Sequence, residues 1–258
     1  MAAPPYPKIE NLYARKADGK RLDVGVLRRP ETPLIARWLA TEKIDGTNIR
    51  VSLEEAAGPP SSTDWEVDFY GRTNKADIPD FLEDYLVETL PLEKVSLLWR
   101  GLKQCPKCKG WGLIAVGGVL PDMTITDERC PCVEPYPIIL YGEGYGARIQ
   151  RGGGDYRKNK DVSFRLFDVL VADKFWLTWE NVVSVAKRLG IKTVPIVPGG
   201  QSATQEDIVD FVRDGFKSLV AEDEGTPRLA EGIVARTDPY LFDNNGRRVV
   251  FKTKTKDF

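Results

Sequence analysis

A lysine placed between an acid and a tight turn is the first feature of this sequence that suggests chemistry. Lys43 lies in the stretch TEKIDGTNIRV, residues 41–51, just before an alternating apolar segment. A lysine directed into a pocket needs an explanation, because burying its charge is costly. The sequence contains no histidine, which excludes Ser-His-Asp and Cys-His nucleophiles and histidine-ligated metal centres. Catalysis would therefore use lysine, carboxylates, tyrosine, arginine, cysteine or a bound metal ion.

Three lysines near the end of the sequence offer a means of activating Lys43. A neutral amine is a good nucleophile, but an unperturbed lysine pKa of about 10.4 leaves the amine protonated at pH 7. Lys252, Lys254 and Lys256 are spaced by two, so in a strand all three would lie on one face. Such a face suits a phosphate chain and would lower the pKa of a neighbouring lysine. Alternatively, the three lysines form a solvated edge strand whose charge resists aggregation.

The overall composition is that of an ordinary globular protein without a global electrostatic field. Of the 258 residues, 42% are hydrophobic and 29% are charged, and the net charge is -1. A site for a polyanion must therefore be a local groove. The N-terminus has no basic segment followed by an apolar one, and no apolar run approaches a membrane span, so we expect a cytoplasmic protein. We expect one domain over residues 1–258, with a Cys-rich insertion at 103–134.

Hydrophobic periodicity predicts more strands than helices. Apolar and polar residues alternate at 49–54 and again at 65–70, which predicts a hairpin with a long loop. Thr178 and Thr204 are predicted N-caps of helices. Because the strands occur in neighbouring groups, the predicted fold class is α+β. Further strands are predicted at 137–143, 163–172, 231–236 and 247–256, and helices at 76–90, at 178–189 and from 204 onward.

Six short motifs follow one another along the chain. They are EKIDGTN (42–48), YGRTN (70–74), LYGEGYG (140–146), SFRLFDVLV (163–171), EGIVAR (231–236) and FKTK (251–254). Their order and spacing resemble the covalent nucleotidyltransferase superfamily of polynucleotide ligases and mRNA capping enzymes. Within it they are most similar to ATP-dependent RNA ligases, including the bacteriophage nick-sealing type. The resemblance implies a ligase/capping-enzyme fold with mainly antiparallel sheets flanked by helices.

The resemblance also implies a role for each motif residue. Lys43 would attack the α-phosphate of ATP and hold AMP as a lysyl phosphoramidate, and positive charge around the phosphoryl oxygens would favour that transfer. Considered without the other motifs, Phe167 would instead be a core aromatic residue in an apolar strand, and Glu143 or Glu231 would have a surface or ion-pair role. The other implied roles are Glu42 near the adenine, Asn48 near the phosphates, Arg72 and Glu143 at the ribose, Phe167 stacked on the purine, Glu231 organising Mg²⁺ or Mn²⁺, and Lys252 and Lys254 on the α-phosphate.

Asn48 distinguishes the branches of this superfamily. DNA ligases usually carry an arginine two residues after the motif glycine, whereas G-T-N resembles RNA ligases. The sequence ends at Phe258, so we expect neither the OB-fold of DNA ligases and capping enzymes nor the C-terminal helical domain of many RNA ligases. The segment before Lys43 is too short for the extra domain of NAD-dependent ligases, so the expected cofactor is ATP.

The predicted insertion contains all four cysteines. Cys105 and Cys108 form C-x-x-C, and Cys130 and Cys132 form C-x-C. Two such pairs suit a four-cysteine structural Zn²⁺ site, with disulfides or free thiols as the alternatives. The insertion is either a metal-stapled loop or a contact for single-stranded nucleic acid, since it combines basic and aromatic residues. These residues are Lys103, Lys107, Lys109 and Trp111.

A second basic segment surrounds three glycines at 152–154. Five cations there would line phosphates, or they would form a solvated loop. They are Arg148, Arg151, Arg157, Lys158 and Lys160.

Together these features predict an ATP-dependent RNA ligase that joins RNA 3′-hydroxyl and 5′-phosphate ends, in a nicked duplex or in single strands. One alternative is a DNA ligase or a capping-type nucleotidyltransferase of the same superfamily. Another is a non-catalytic, zinc-dependent RNA-binding protein.

Overall fold

The computed structural model describes residues 3–55, 65–98, 113–116, 126–129, 136–150, 156–158 and 161–258. No helix within these ranges has the length and apolar character needed to cross a membrane. The strands are β1 Glu10–Asn11, β2 Tyr13–Arg15, β3 Leu22–Leu27, β4 Leu39–Lys43, β5 Thr47–Glu55, β6 Trp65–Tyr70, β7 Leu113–Val116, β8 Thr126–Arg129, β9 Ile138–Gly146, β10 Val162–Val171, β11 Phe175–Trp176, β12 Lys192–Thr193, β13 Gly232–Arg236 and β14 Val250–Lys254. The α-helices are α1 Asp80–Thr89, α2 Leu92–Val95, α3 Trp179–Arg188, α4 Gln205–Arg213 and α5 Leu219–Asp223, and 3-10 turns cover Thr32–Leu34, Ser96–Leu98 and Thr255–Asp257.

A four-stranded sheet in the order β1-β14-β13-β4 joins the two ends of the chain. β13 pairs antiparallel with both β4 and β14, and β1 runs parallel to β14. Ile233 and Ala235 of β13 are fully buried and belong to a core cluster with Ile208 and Val212 of α4. Since side chains alternate along a strand, the neighbouring positions of β13 are left for the other face of this sheet.

The second sheet has six strands in the order β11-β10-β9-β5-β6, with β12 beside β10. All its pairs are antiparallel except β10 with β12. Ile49, Val51 and Leu53 are fully buried and pack in one core with Leu82 and Leu86 of α1. The alternating pattern predicted this burial, and the predicted hairpin is confirmed as β5 and β6. Mainly antiparallel sheets with separate helices confirm the α+β class.

The two predicted helix caps have different outcomes. Thr204 forms a capping box: its side chain accepts a hydrogen bond from the Asp207 amide at 3.1 Å, and the Asp207 carboxylate accepts one from the Thr204 amide at 2.9 Å. Thr178 occupies the N-cap position of α3, but its side chain caps no backbone amide. The carboxylate of Asp238 accepts the Trp179 amide instead, at 3.3 Å. A distant residue thus replaces the local cap.

The last strand is shorter than the sequence pattern predicts. β14 ends at Lys254, because the Asp257 carboxylate accepts the Lys254 amide at 2.9 Å and a 3-10 turn follows. Lys256 lies in that turn and is exposed. The expectation that Lys252, Lys254 and Lys256 all share one strand face is therefore wrong for Lys256.

Two described pieces fall within the predicted insertion at 103–134. Strands β7 and β8 pair antiparallel as a two-stranded sheet of their own. Cys105, Cys108, Cys130 and Cys132 lie outside the described residues. The same holds for the basic and aromatic residues Lys103, Lys107, Lys109 and Trp111.

Candidate active site

The four-stranded sheet brings three of the predicted lysines to one face. Gly232 of β13 pairs with Lys43 on one side and with Lys254 on the other, and Val234 pairs with Lys252. Directly paired residues, and residues two apart in a strand, point to the same face of a sheet. Lys43, Lys252 and Lys254 therefore share a face, and glycine at position 232 leaves the space between two of them free of a side chain.

Glu231 lies between two of these lysines. It accepts a hydrogen bond from Nζ of Lys43 through Oε2 and one from Nζ of Lys254 through Oε1, both at 2.5 Å. Burial opposes ionisation of this carboxyl, but the two ammonium groups outweigh burial and lower the pKa of Glu231. Glu231 is thus held as a carboxylate that fixes both lysine side chains.

Lys252, the third lysine at this face, is repelled by its positively charged neighbours. Burial lowers the pKa of Lys252, and Lys43, Lys254 and Arg72 lower it further by repulsion. Arg72 follows β6 in the other sheet and is exposed. Lys43, Lys254 and Arg72 thus all lie close enough to repel the charge of Lys252. That arrangement is electrostatically suited to the oxygens of a phosphate chain.

The six-stranded sheet contributes two further predicted residues, Asn48 and Glu143, which lie opposite each other on β5 and β9. Burial raises the pKa of Glu143 to about 7; Lys43 opposes this shift, while Glu231 and Asp45 add to it. The predicted residues of the two sheets thus act on one another electrostatically. Oδ1 of Asn48 is buried and accepts no hydrogen bond within the described residues. A buried acceptor without a protein partner is available for a hydrogen bond from a bound ligand.

The turn after Lys43 explains the glycine of K-I-D-G. A Cβ at Gly46 would lie 2.4 Å from the Gly144 carbonyl oxygen and 2.8 Å from Cγ of Glu143. The Asp45 amide donates to the hydroxyl of Tyr156 at 3.1 Å. Gly46 is therefore required because β9 approaches the turn closely, and this approach brings Glu143 towards Lys43.

Glu42 points to the opposite face from its neighbour Lys43. The residue is 1% exposed. Its Oε1 accepts from the Ser218 hydroxyl at 2.5 Å, and its Oε2 accepts from the amides of Leu219 and Val220 at 2.8 and 3.1 Å. Burial raises the pKa of Glu42, and these hydrogen bonds oppose that shift. The carboxylate anchors α5 beneath β4, so its proximity to adenine stays a prediction.

Phe167 lies at a β-bulge, between Leu166 and Asp168, where the register of β10 against β9 shifts. Its carbonyl accepts a hydrogen bond from Nη1 of Arg236 at 2.7 Å. Its ring meets the ring of Tyr6 edge-on, with 5.0 Å between centroids. Phe167 is half-buried rather than enclosed in the core, which leaves its stacking role a prediction.

The structure adds Asp45, Tyr156 and Arg236 to the residues around the predicted site. Asp45 and Arg236 stand inside the motifs EKIDGTN and EGIVAR, so their position in those motifs was an available signal. Tyr156 had no such signal, because its contact with the Asp45 amide crosses 111 positions of sequence.

The basic segment around 152–154 is partly occupied by internal contacts. Arg157 pairs with the carboxylates of Asp161 and Glu224. The guanidinium of Arg148 lies over the ring of Phe81, 4.5 Å from its centroid. The charge of Arg157 is thus already paired with two carboxylates of the protein, rather than directed at a phosphate. Arg151 and Lys160 lie outside the described residues.

Comparison with known proteins gives one family and several structural matches. Residues 36–254 match the model of the RNA ligase family. No curated protein sequence is significantly similar to this chain. Two mutant forms of Naegleria gruberi RNA ligase with ATP and Mn are 18% identical with TM-scores of 0.53, one covering 98% of this chain and 62% of that chain, the other 88% and 55%. The same ligase with PPi is 19% identical, with a TM-score of 0.51, covering 86% of this chain and 50% of that one.

These matches bear on the fold. This chain spans between half and about three fifths of the length of those matched ligase chains. At such identities the likeness establishes an α+β architecture of the RNA ligase nucleotidyltransferase type.

Proposed function

This chain belongs to the RNA ligase family, and on that premise we propose that it is an ATP-dependent RNA ligase working through a lysyl-AMP intermediate on Lys43. It joins an RNA 3′-hydroxyl to a 5′-phosphate. The observation that carries the proposal is the convergence of Lys43, Lys252 and Lys254 around Glu231 on one sheet face. A nucleophilic amine beside two further ammonium groups suits the transfer of a phosphoryl group to that amine.

The first step forms the covalent intermediate. Lys43 loses a proton to solvent water, and the lone pair of Nζ attacks the α-phosphorus of ATP. A P–N bond forms, the bond to the bridging oxygen breaks, and pyrophosphate leaves with the electron pair. Lys252 and Lys254 stabilise the negative charge on the α-phosphate oxygens, because their charges are already in place and largely desolvated. Lys254 and Lys43 are held for this step by their common partner Glu231.

The second and third steps use the stored AMP. An oxygen of the RNA 5′-phosphate attacks the phosphorus of lysyl-AMP, and the P–N bond breaks to restore the Lys43 amine. The RNA 3′-hydroxyl then gives its proton to solvent and attacks the activated 5′-phosphorus, a phosphodiester forms, and AMP leaves with the electron pair of the broken P–O bond. The same cations serve each step, since in each step a nucleophile attacks a phosphorus atom whose oxygens carry negative charge.

The other motif residues are proposed to bind the nucleotide. Phe167 stacks on the purine, and Glu143 and Arg72 contact the ribose. Asn48 lies near the phosphates, where its side-chain N–H can donate to a phosphate oxygen, while its buried Oδ1 can accept from a donor of the nucleotide such as a ribose hydroxyl. Glu42 lies near the adenine but acts on it indirectly, by fixing the position of β4. Its carboxylate oxygens accept hydrogen bonds from Ser218 and from the first turn of α5.

The carboxylates near Lys43 suit a hydrated divalent cation. Glu143 lies close enough to Glu231 and Asp45 for both to raise its pKa. Among the described residues no three acidic side chains stand ready to ligate a metal directly. Mg²⁺ retains several waters in proteins, so Glu231 and Glu143 would hold Mg²⁺ or Mn²⁺ through them. When bound, the ion neutralises charge on phosphate oxygens.

Two finer features rest on sequence. We propose that the chain belongs to the nick-sealing type, because the order and spacing of its six motifs resemble that type. Asn48, two residues after the motif glycine, supports an RNA ligase over a DNA ligase. We also propose that Cys105, Cys108, Cys130 and Cys132 bind one Zn²⁺. Metal analysis of protein purified without chelator should find about one zinc per chain, and a zinc-free protein with unchanged folding would overturn this assignment.

Covalent labelling tests the ligase activity. The protein is incubated with ATP labelled at the α-phosphate and with Mg²⁺ or Mn²⁺, then denatured. Label should remain on wild type and be absent from Lys43→Ala. Lys187→Ala is the matched control, because Lys187 is exposed on α3. Wild type without label would exclude the enzyme and favour an RNA-binding protein.

The nucleotide and the polynucleotide then identify the branch. Labelling from GTP alone would indicate a capping-type enzyme. Sealing is compared on nicked RNA duplex, single-stranded RNA and nicked DNA, and the nick-sealing assignment predicts the highest rate on the nicked duplex with an RNA strand. Preference for nicked DNA would indicate a DNA ligase instead.

A further inference from the structure

The segment from Ala3 to Tyr6 crosses the six-stranded sheet beside the proposed nucleotide site. Three residues of that sheet hold it. Tyr141 donates its hydroxyl to the Pro4 carbonyl at 2.9 Å, Arg50 donates Nη1 to the Ala3 carbonyl, and the Tyr6 hydroxyl donates to Oδ2 of Asp168 at 2.7 Å. Tyr141, Arg50 and Asp168 are all fully buried. The segment is therefore built into the fold.

The Tyr6 ring belongs to an aromatic cluster that includes Phe167. Its centroid lies 5.0 Å from Phe167 at an interplanar angle of 77°, 5.0 Å from Tyr141, and 5.7 Å from Trp176 at 88°. Edge-to-face contacts at these distances orient rings as well as bury them. Phe167 needs such support, because it lies at a bulge where the register of β10 against β9 shifts.

The same segment is connected to the loop that carries Arg72. Arg50, which bonds the Ala3 carbonyl, also donates Nε to the Gly71 carbonyl and Nη1 to Oδ1 of Asn74, both at 2.8 Å. One buried guanidinium thus links the segment to both ends of the short loop around Arg72. Displacing Ala3 would remove one hydrogen-bond acceptor of that buried guanidinium, which is energetically costly.

We propose that the segment Ala3–Tyr6 positions the purine side of the nucleotide site, with the Tyr6 ring setting the orientation of Phe167. This inference rests on the proposed function in one respect, namely that Phe167 stacks on the purine. Tyr6 is a positioning residue: it acts on the nucleotide through Phe167. Its hydroxyl adds a second restraint by holding Asp168, the residue next to Phe167.

The experiment measures lysyl-AMP formation in single turnovers over a range of ATP concentrations. Tyr6→Ala should raise the ATP concentration for half-maximal rate by about tenfold, the loss of one aromatic contact, with the maximal rate changed less than about twofold. Tyr6→Phe retains the ring and should recover most of the affinity. Tyr85→Ala is the matched control, since Tyr85 is a half-buried tyrosine of α1 that packs against the main core.

A purely structural role for Tyr6 would give a different result. It would reduce the fraction of active protein, and so the amplitude, while leaving the half-saturating ATP concentration of the active fraction unchanged. That outcome, or an equal rise in Tyr85→Ala, would overturn the proposal.

Equilibrium binding separates this inference from the proposed ligase activity. AMP is titrated calorimetrically into Lys43→Ala and into the double variant that also carries Tyr6→Ala, so that no covalent step contributes. A roughly tenfold weaker binding in the double variant supports the inference even if wild type forms no lysyl-AMP. Equal binding in the two proteins, or no AMP binding in either, overturns it.

Discussion

Glu231 accepts a hydrogen bond from Nζ of Lys43 at 2.5 Å, although 188 positions of sequence separate the two residues. The same carboxylate accepts Nζ of Lys254 at 2.5 Å. This bridge exists because β13 lies between β4 and β14, with Gly232 paired to both lysines. The position of Lys43, the proposed nucleophile, is thus set by the inner strand β13. Its charge is balanced by Glu231, which also holds Lys254, a proposed phosphate ligand.

Glu231→Gln should slow lysyl-AMP formation by about 100-fold, the scale expected for removing a preorganised electrostatic group. The amide keeps the size of the side chain but leaves Lys43 and Lys254 without their shared negative charge. Single-turnover labelling with ATP measures the rate. Glu83→Gln, on the exposed side of α1, is the charge-matched control. A wild-type rate in Glu231→Gln would contradict the bridging role.

Glu143 should make folding stability depend on pH. Burial raises its folded pKa from 4.5 to about 7, so between these values the folded state binds a proton that the unfolded state has lost. Stability conferred by the protonated form is therefore lost as pH rises from about 4.5 to 7. Glu143→Gln removes this dependence and should gain up to about 3 kcal/mol relative to wild type across that range.

Urea unfolding of wild type and Glu143→Gln at pH 5, 6, 7 and 8 measures this difference. Glu231 has a lowered pKa and contributes in the opposite direction. Both proteins retain Glu231, so the difference between them reports Glu143 together with its electrostatic coupling to Glu231. A stability difference that stays constant with pH would show that Glu143 is ionised throughout.

Gly46→Ala should destabilise the fold by about 2 kcal/mol or more, because the new methyl group would overlap the Gly144 carbonyl. It should also slow labelling, since relief of the overlap separates the turn from β9. Gly19→Ala is the control. Its methyl group would have no atom within 4 Å, so the only cost is the backbone strain of an alanine at a φ of 66°. Chemical denaturation measures both variants. Equal losses in the two would show that the turn has room.

Asp168→Asn should be among the most destabilising single changes, by about 3–5 kcal/mol, because it removes a buried charge between two buried arginines. Oδ2 of Asp168 lies 2.5 Å from Nη1 of Arg248 and 3.6 Å from Nη1 of Arg236. Asp210→Asn breaks an exposed pair with Arg213 and should change stability far less. Thermal unfolding of both variants tests this contrast, and similar losses would contradict it.

Several features could be predicted from sequence because they depend on neighbours in the chain. The alternation at Ile49, Val51 and Leu53 predicted a buried strand face, and the spacing of Thr204 and Asp207 predicted a helix cap; both are confirmed. The order of the six motifs indicated the RNA ligase family, which the match over residues 36–254 confirms. The absence of histidine limited the chemistry to other groups.

Other features depend on contacts between distant residues, and no local pattern contains them. Lys256 follows the spacing of Lys252 and Lys254 but leaves the strand, because Asp257 accepts the Lys254 amide. Glu42 faces Ser218 and α5, a partner 176 positions away.

The sequence by itself determined the strand periodicity, the motif set and the candidate nucleophile. Only the tertiary structure decided which carboxylate Lys43 contacts, where β10 bulges at Phe167, and that Tyr6 packs on that ring. The physical reason is that side-chain alternation is a property of each strand alone. Pairing register and bulges, by contrast, are set by the packing of many distant residues at once.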